Sequence, residues 1–232
     1  MDFDVAVAAL KQAICAQSGG ADDVEILDDA VLYRFAACRL FDMVSAAKRY
    51  LKFIKVVKEY QLSFEETPEI AKVLSRGIVH TGGFDLQGHP VVIAVPRYVD
   101  WKMTSTKDMQ KAWFYCAWQA ICSSPLAQSE GIVLMLFARG MSISFFNRDF
   151  LGFVGNAIQE CLPMKIRRIL VVNQPWIFSS FIAPLISPFM PAKIRERVVL
   201  TGRNYELIWR YIAPATIPKG LRGEFYPEHV RA

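Results

Sequence analysis

The sequence predicts an α/β protein in which a mixed, mainly parallel sheet is covered by helices and follows a small all-helical N-terminal lobe. Two observations carry this prediction. Apolar residues recur at helical spacing through residues 1–75, and short buried strands alternate with helical segments through residues 76–232. Strands that are separated by helices favour parallel pairing. We therefore expect a helical lobe over 1–75 and an α/β domain over 76–232.

The N-terminal lobe is expected to contain four helices. Helical spacing covers residues 2–16, 28–39 and 43–60, and a fourth helix begins near Pro68. The first helix ends at the breaker Ser18-Gly19-Gly20. Asp42 suits the N-cap of the third helix, and Pro68 suits the first turn of the fourth.

The second region is expected to alternate strands with helices. A short strand at 78–80 leads into a glycine-rich loop over 82–88. The further strands are predicted at 91–95, 132–137, 166–172 and 198–200, and the helices at 108–122, 144–161, 176–189 and 205–211. The prolines at 184 and 188 interrupt the apolar run of the third of these helices.

Composition argues against several classes of protein. Hydrophobic residues make up 53% of the 232 residues, yet the longest apolar run, residues 131–138, is far shorter than the roughly 20 residues of a bilayer span. Five scattered cysteines and an acidic N-terminus without a signal peptide predict a cytosolic protein with reduced thiols. We expect no metal, no cofactor and no enzyme activity, because the sequence has no phosphate loop, nucleophile elbow or paired metal ligands.

Basic residues concentrate between Glu160 and Arg203. This segment holds seven cations and two acids, an excess equal to the net charge of +5 of the whole chain. The sequence around these cations is apolar, so we interpret the segment as directed at an anionic lipid surface before nucleic acid. A basic rim that only faces solvent is the alternative interpretation.

A series of motifs, in order along the chain, resembles the CRAL-TRIO lipid-binding family. The resemblance extends from about residue 32 to residue 223. The matching segments are Leu32-Tyr-Arg-Phe-Ala-Ala-Cys-Arg-Leu-Phe-Asp42, Gly88-His-Pro-Val91, Glu130-Gly131-Ile-Val, Pro163, Asn173-x-Pro-Trp-x-Phe178, Pro188-Phe-Met-Pro and Lys193-Ile-x-Glu-Arg197.

The resemblance implies a non-enzymatic protein that binds and transfers a small hydrophobic lipid, held in a pocket that the helices close. The implied pocket residues are Phe114, Trp118, Ile121, Ile132, Leu136, Val154, Ile158, Leu162 and Ile166. Their periodicity is equally typical of an ordinary core. Residues 176–189 correspond to the family's mobile gate helix, with Trp176, Phe181, Leu185 and Phe189 as its gate residues.

The resemblance also implies docking on membranes. Alignment with the family's tocopherol and retinaldehyde carriers implies that the phosphoinositide-binding residues are Lys165, Arg167, Lys193, Arg197 and, as a weaker fifth, Arg39. Lys193 and Arg197 are expected to be exposed. Met164 stands where the carriers of phosphatidylinositol have a glutamate that holds the inositol, so phosphatidylinositol is not the expected cavity ligand.

The implied partners are a lipid ligand and phosphoinositide membranes, for a monomeric, cytoplasmic protein that associates reversibly with membranes. The alternative function is a lipid-responsive targeting or regulatory module cut from a larger signalling protein. Nucleic-acid binding is not expected, although it would use the same cations and would show as a steep salt dependence on DNA.

Overall fold

The computed structural model describes residues 1–19, 25–141, 145–175 and 192–217. Its N-terminal lobe contains the four predicted helices, α1 (Phe3–Gln17), α2 (Asp29–Cys38), α3 (Met43–Tyr60) and α4 (Pro68–Ser75). Two of the helix starts follow from side-chain caps. The Asp42 carboxylate accepts a hydrogen bond from the Ser45 N–H at 3.1 Å, and the Thr67 hydroxyl accepts one from the Ile70 N–H at 3.4 Å.

Aromatic side chains form the centre of this lobe. Phe35, Tyr50 and Phe53 are fully buried, and the rings of Phe35 and Tyr50 meet edge to face with centroids 5.2 Å apart. The Tyr50 hydroxyl accepts a hydrogen bond from Leu27 N–H and donates one to the Glu25 carbonyl, both at 2.8 Å. The buried tyrosine therefore satisfies its polar atom while it fastens the chain before α2 to α3.

The second region contains a five-stranded sheet with the order β1-β2-β3-β4-β5. Its strands are β1 (Val79–Phe84), β2 (Pro90–Ala94), β3 (Ile132–Phe137), β4 (Ile166–Val172) and β5 (Val198–Gly202). Strands β2 to β5 pair in parallel and β1 pairs antiparallel to β2, which confirms the mixed, mainly parallel sheet. The accompanying helices are α5 (Thr106–Ser123), α6 (Leu126–Ser129), α7 (Arg148–Asn156), α8 (Ala192–Arg195) and α9 (Tyr205–Trp209).

The predicted loop over 82–88 begins too early, because Gly82 and Gly83 belong to β1. Thr81 pairs with Val92 and Phe84 with Pro90, and the register shifts between these two pairs. Gly83 has a φ of +74°, which a glycine adopts without strain. The two glycines therefore form a β-bulge inside the strand, a common place for glycine in a sheet.

The helix predicted over 144–161 is shorter and changes its geometry. It begins at Arg148, where the Asn147 side chain accepts a hydrogen bond from the Phe150 N–H at 2.9 Å. After α7 the chain continues as a π-helical turn over Ala157–Cys161. Such wider turns interrupt helices at functional sites more often than elsewhere. The helix predicted over 176–189 lies outside the described residues.

The two faces of the sheet are buried against different partners. Val91, Ile93, Val133 and Met135 belong to a core with the segment that follows β5, including Ile208. The opposite face carries Val92, Ile132, Leu134, Ile166 and Ile169 and packs beneath α5 and α7. Alternate residues of each strand point to opposite faces, so each strand contributes to both cores.

The helical lobe and the α5 side of the sheet share one hydrophobic core. Phe53 of α3 stacks on Trp118 of α5 with ring centroids 5.5 Å apart and on Phe114 at 6.1 Å. The expected boundary between 75 and 76 stays a prediction, and the aromatic stack crosses it. Across the described ranges, no helix is long and apolar enough to cross a membrane.

Candidate functional site

An apolar cavity lies between the sheet and the helices α5 and α7. It is partly open and has a volume of about 180 Å³, and the described residues that line it are all apolar. The sheet contributes Val92 and Ala94 of β2, Leu134 and Leu136 of β3 and Ile169 of β4, and the helices contribute Met109, Trp113, Phe150, Leu151 and Val154. Such a wall suits a ligand that is held by burial of apolar surface rather than by polar contacts.

The structure places two of the nine predicted pocket residues in this wall, Leu136 and Val154. Six others are buried in the same core but do not line the cavity; they are Phe114, Trp118, Ile121, Ile132, Leu162 and Ile166. Phe114 and Trp118 stack on Phe53 instead and so face the helical lobe. The side chain of Ile158 and the four predicted gate residues lie outside the described parts of the chain.

Sequence reasoning did not nominate most of the cavity wall. Leu134 shares the strand face of Leu136, two residues away, and Ile169 is its partner across the β3–β4 ladder. The alternation of β3 could have identified Leu134 as a wall residue. Trp113 and Phe150 give no comparable signal, because helical spacing marks only that a side chain is buried.

The predicted cations Lys165 and Arg167 flank Ile166 at the start of β4. Gly131, at the start of β3, makes their position possible: its φ is +119°, and an added Cβ would lie 2.7 Å from both the Lys165 oxygen and the Arg167 nitrogen. The Lys165 ammonium donates a hydrogen bond to the Ser129 carbonyl at 2.8 Å. Arg167 is exposed. Glycine at 131 therefore lets the cationic start of β4 approach β3.

Arg197 meets the same end of β4 from the other side. Its guanidinium donates to the Ile166 carbonyl, and its own carbonyl accepts from the Ile169 N–H at 2.9 Å. Arg197 is thus half-buried, in contrast to the expected exposure, because it satisfies a backbone carbonyl of the neighbouring strand. Lys193, four residues earlier in α8, is exposed as predicted. Lys165, Arg167 and Arg197 therefore all lie next to Ile166, at the start of the internal strand β4.

The fifth predicted cation, Arg39, follows the buried Cys38 at the end of α2. Burial raises the pKa of the Cys38 thiol, while the charges of Arg49, Arg39 and Lys165 lower it. Arg39 itself is exposed.

A buried arginine connects α3 to the π-helical turn that precedes β4. The Arg49 Nε donates to the Leu162 carbonyl at 2.8 Å and to the Cys161 carbonyl at 3.3 Å. Burial lowers the pKa of the Arg49 guanidinium. Next to it, Lys52 forms an ion pair with Glu160, and its hydrogen bond lowers the pKa of that carboxyl group. Sequence reasoning did not identify Arg49 as a buried contact between these two segments.

A buried histidine joins two of the motifs on the side of β3 that faces β2. His89 Nδ1 lies 3.0 Å from an Asp85 carboxylate oxygen, and His89 Nε2 lies 3.0 Å from Glu130. Asp85 also accepts hydrogen bonds from the Gln87 and His89 N–H groups, both at 2.8 Å. These contacts hold the Gly88-His-Pro-Val turn against the start of β3. Within the described ranges, no cluster of side chains could hold a metal ion.

The same α/β fold, a mixed sheet covered by helices, is seen in the crystal structure of Sfh5. The two superpose with a TM-score of 0.58 at 14% identity, over 85% of this chain and 77% of Sfh5. Residues 74–223 match the CRAL/TRIO domain family. The chain belongs to the CRAL/TRIO domain family, which confirms the resemblance that its motifs show.

Two curated relatives extend the comparison beyond the domain. The chain is 28% identical over 211 residues to the human Alpha-tocopherol transfer protein-like, across 85% of this chain and 59% of the relative. It is 25% identical over 210 residues to mouse Clavesin-2, across 86% of this chain and 63% of the relative. The chain thus spans about three fifths of the length of the relatives that it matches.

Proposed function

We propose that this protein binds one hydrophobic lipid in the cavity beneath α5 and α7 and transfers it between membranes without catalysing a reaction. The apolar wall is the observation that carries the proposal. A cavity bounded by apolar side chains at the sheet face favours a ligand that loses its water shell on binding. The name of the tocopherol-transfer relative supports an apolar ligand of the same chemical class.

The volume of the cavity bears on how the ligand enters. Pockets for drug-sized ligands usually enclose roughly 300–1,000 Å³, whereas this cavity encloses about 180 Å³. A lipid therefore requires the wall to widen. Part of that wall is α7, whose Leu151 both lines the cavity and is partly exposed.

Phosphatidylinositol is not the ligand that we propose for the cavity. Met164 is buried at the position where the family's phosphatidylinositol carriers have the glutamate that holds the inositol. A thioether offers only weak hydrogen-bond acceptance, so an inositol ring would lose its polar contacts there. A lipid extract dominated by stoichiometric phosphatidylinositol would contradict this step.

The ligand is tested by native mass spectrometry and lipid extraction of the purified protein. Val154→Trp places a large side chain at the cavity wall, and we expect it to abolish the bound-lipid mass. Val5→Trp is the matched control, because Val5 is exposed on α1 and no described residue of α1 lines the cavity. Equal lipid occupancy of the two variants would exclude this cavity as the binding site.

We further propose that the protein docks reversibly on phosphoinositide membranes through Lys165, Arg167, Lys193, Arg197 and Arg39. The proposal is supported by the positions of three cations: Lys165 and Arg167 flank Ile166 at the start of β4, and the Arg197 guanidinium donates to the Ile166 carbonyl. Phosphate groups need several convergent donors, which such a cluster offers. Each cation near an anionic leaflet contributes about 1 kcal/mol, so the tether is reversible and sensitive to salt.

The double variant Arg167→Ala/Lys193→Ala tests this docking, because both side chains are exposed and the fold does not depend on them. We expect weaker binding to vesicles that contain phosphoinositide, and unchanged thermal stability. Lys102→Ala/Lys107→Ala removes the same charge from exposed positions elsewhere and is the control. Equal vesicle binding by the wild type and Arg167→Ala/Lys193→Ala at physiological salt would refute the docking surface.

A further inference from the structure

The turn that joins α2 to α3 has an unusual backbone. Leu40 and Phe41 follow each other with φ values of +53° and +62°. The left-handed region is unfavourable for residues with a Cβ, and helices that end in it usually carry glycine or asparagine there. Two consecutive bulky residues in this conformation therefore require a reason.

Packing explains Phe41 but does not explain Leu40. The Phe41 ring lies 5.8 Å from that of Tyr33, and Phe41 packs on the main hydrophobic core. Leu40, by contrast, is 77% exposed. An asparagine at position 40 would fit the backbone better and would not place an apolar side chain in water. Strained positions that the fold does not need are frequently functional.

A second exposed apolar side chain follows four residues later, at the start of a basic face of α3. Val44 is 68% exposed in the first turn of α3. Lys48 and Lys55 follow it by four and eleven residues, which places all three on one face of the helix. Among the described residues, no ion pair involves Lys48 or Lys55, whereas Lys52 pairs with Glu160. The face therefore presents an apolar tip followed by unpaired cations.

We propose that the corner between α2 and α3 is a membrane-contact surface, in which Leu40 and Val44 enter the headgroup region of an anionic bilayer while Arg39, Lys48 and Lys55 contact its lipid headgroups. This surface rests on the membrane docking proposed above and adds an apolar contact on the helical lobe. Arg39 belongs both to this surface and to the proposed phosphoinositide-binding cations. Apolar side chains bordered by lysine and arginine are typical of helices that lie on anionic membranes.

The size and charge of the corner favour a bilayer over a protein partner. Stable protein interfaces usually bury at least roughly 1,200 Å² and centre on large aromatic side chains. The corner offers two aliphatic side chains with cations around them. A bilayer needs no shape complementarity, and its anionic headgroups match the charge of Arg39, Lys48 and Lys55.

The decisive variant is Leu40→Asn. Asparagine tolerates the left-handed conformation, so we expect a melting temperature equal to or above that of the wild type. Removal of the apolar side chain should weaken binding about five- to tenfold on phosphatidylcholine vesicles that carry phosphatidylserine, with or without a phosphoinositide. Leu86→Asn is the matched control, because Leu86 is 57% exposed in the β1–β2 connection. We expect it to bind vesicles as the wild type does.

A charge variant covers the possibility that Leu40→Asn unfolds. Lys48→Glu/Lys55→Glu changes two exposed side chains of α3, and we expect it to bind anionic vesicles more weakly than the wild type. If Leu40→Asn binds vesicles as tightly as the wild type, this inference is overturned and the docking at β4 stays intact. If Leu40→Asn is unfolded, equal binding by the folded charge variant overturns the inference in the same way. If the wild type binds no vesicle of either composition, both the docking and this surface fail.

Discussion

Arg49→Met is expected to destabilise the protein because it removes a buried connection between α3 and the π-helical turn. Arg49 is 6% exposed, and its Nε donates to the Leu162 carbonyl at 2.8 Å and to the Cys161 carbonyl at 3.3 Å. Methionine can fill much of the same space but has no N–H group. The two carbonyl groups therefore lose a charged donor in a buried environment.

The size of the effect follows from these contacts. The Nε atom carries one hydrogen, so its two contacts form a single bifurcated hydrogen bond, and a bond from a charged donor contributes about 1.5–3 kcal/mol. Burial lowers the pKa of the guanidinium, so the variant also removes an unfavourable desolvation. We expect a net loss of about 2 kcal/mol, because the desolvation relieved offsets part of the lost bonding. A domain of this size then melts about 4–8 °C lower.

Thermal unfolding followed by circular dichroism measures this difference. Lys48→Met is the matched control, because Lys48 is the neighbouring residue on α3 but is exposed. Its free energy of unfolding should stay within about 0.5 kcal/mol of the wild type. If Arg49→Met melts at the same temperature as Lys48→Met, the two carbonyl contacts do not stabilise the junction and the reasoning is wrong.

Two further predictions concern α7 and the pH dependence of stability. Gly152→Ala/Gly155→Ala should raise the free energy of unfolding by about 1–2 kcal/mol in chemical denaturation, because an added Cβ meets nothing within 4 Å at either position. The same variant should slow lipid exchange between vesicles. A lower free energy of unfolding than that of the wild type would contradict this prediction. Burial lowers the pKa of His80 from its ordinary value of 6.5, so the unfolded chain takes up a proton that the folded chain resists, and stability should fall as the pH drops below about 6.5. The melting temperature of His80→Gln should change less with pH than that of the wild type between pH 7.5 and 5.5, roughly one unit either side of the ordinary pKa. An equal change in both proteins would show that His80 does not contribute to the pH dependence of stability.

The sequence was sufficient for elements whose local pattern agrees with their packing. The strands at 132–137 and 166–172 are predicted with their observed ends: the first is a mostly buried apolar run, and the second places apolar residues on both sides of two arginines. Gly82 and Gly83 are a different case. A glycine pair usually indicates a turn, and only the pairing of β1 with β2 reveals that this pair forms a bulge within a strand.

The cavity wall was less predictable than the fold. Periodicity identifies Phe114, Trp118 and Leu136 alike as buried, and all of them belong to or pack on buried clusters. Which side of α5 faces the cavity depends on where α3 packs. The stacking of Phe53 on Trp118 is a contact between distant segments, and no local pattern encodes it.

The charge count along the sequence does not show which charges are buried or paired. The net charge of +5 equals the excess between Glu160 and Arg203, and the rest of the chain balances overall. That balance includes α3, where five cations accompany one acid, and acidic residues elsewhere offset them. The structure adds the position of these charges: Arg49 is buried, Lys52 and Lys58 pair with Glu160 and Glu25, and Lys48 is exposed.

The cavity and the sequence of α7 together indicate how a lipid enters. A cavity of about 180 Å³ is too small for the proposed ligand unless a wall moves. The sheet wall is held by parallel ladders on both sides of β3, so movement there would break backbone hydrogen bonds. Helix α7 is short, contains two glycines that packing does not require, and ends in a π-helical turn. Each glycine weakens a helix by about 1 kcal/mol relative to alanine, so among the described parts of the wall we expect α7 to open at the lowest free energy.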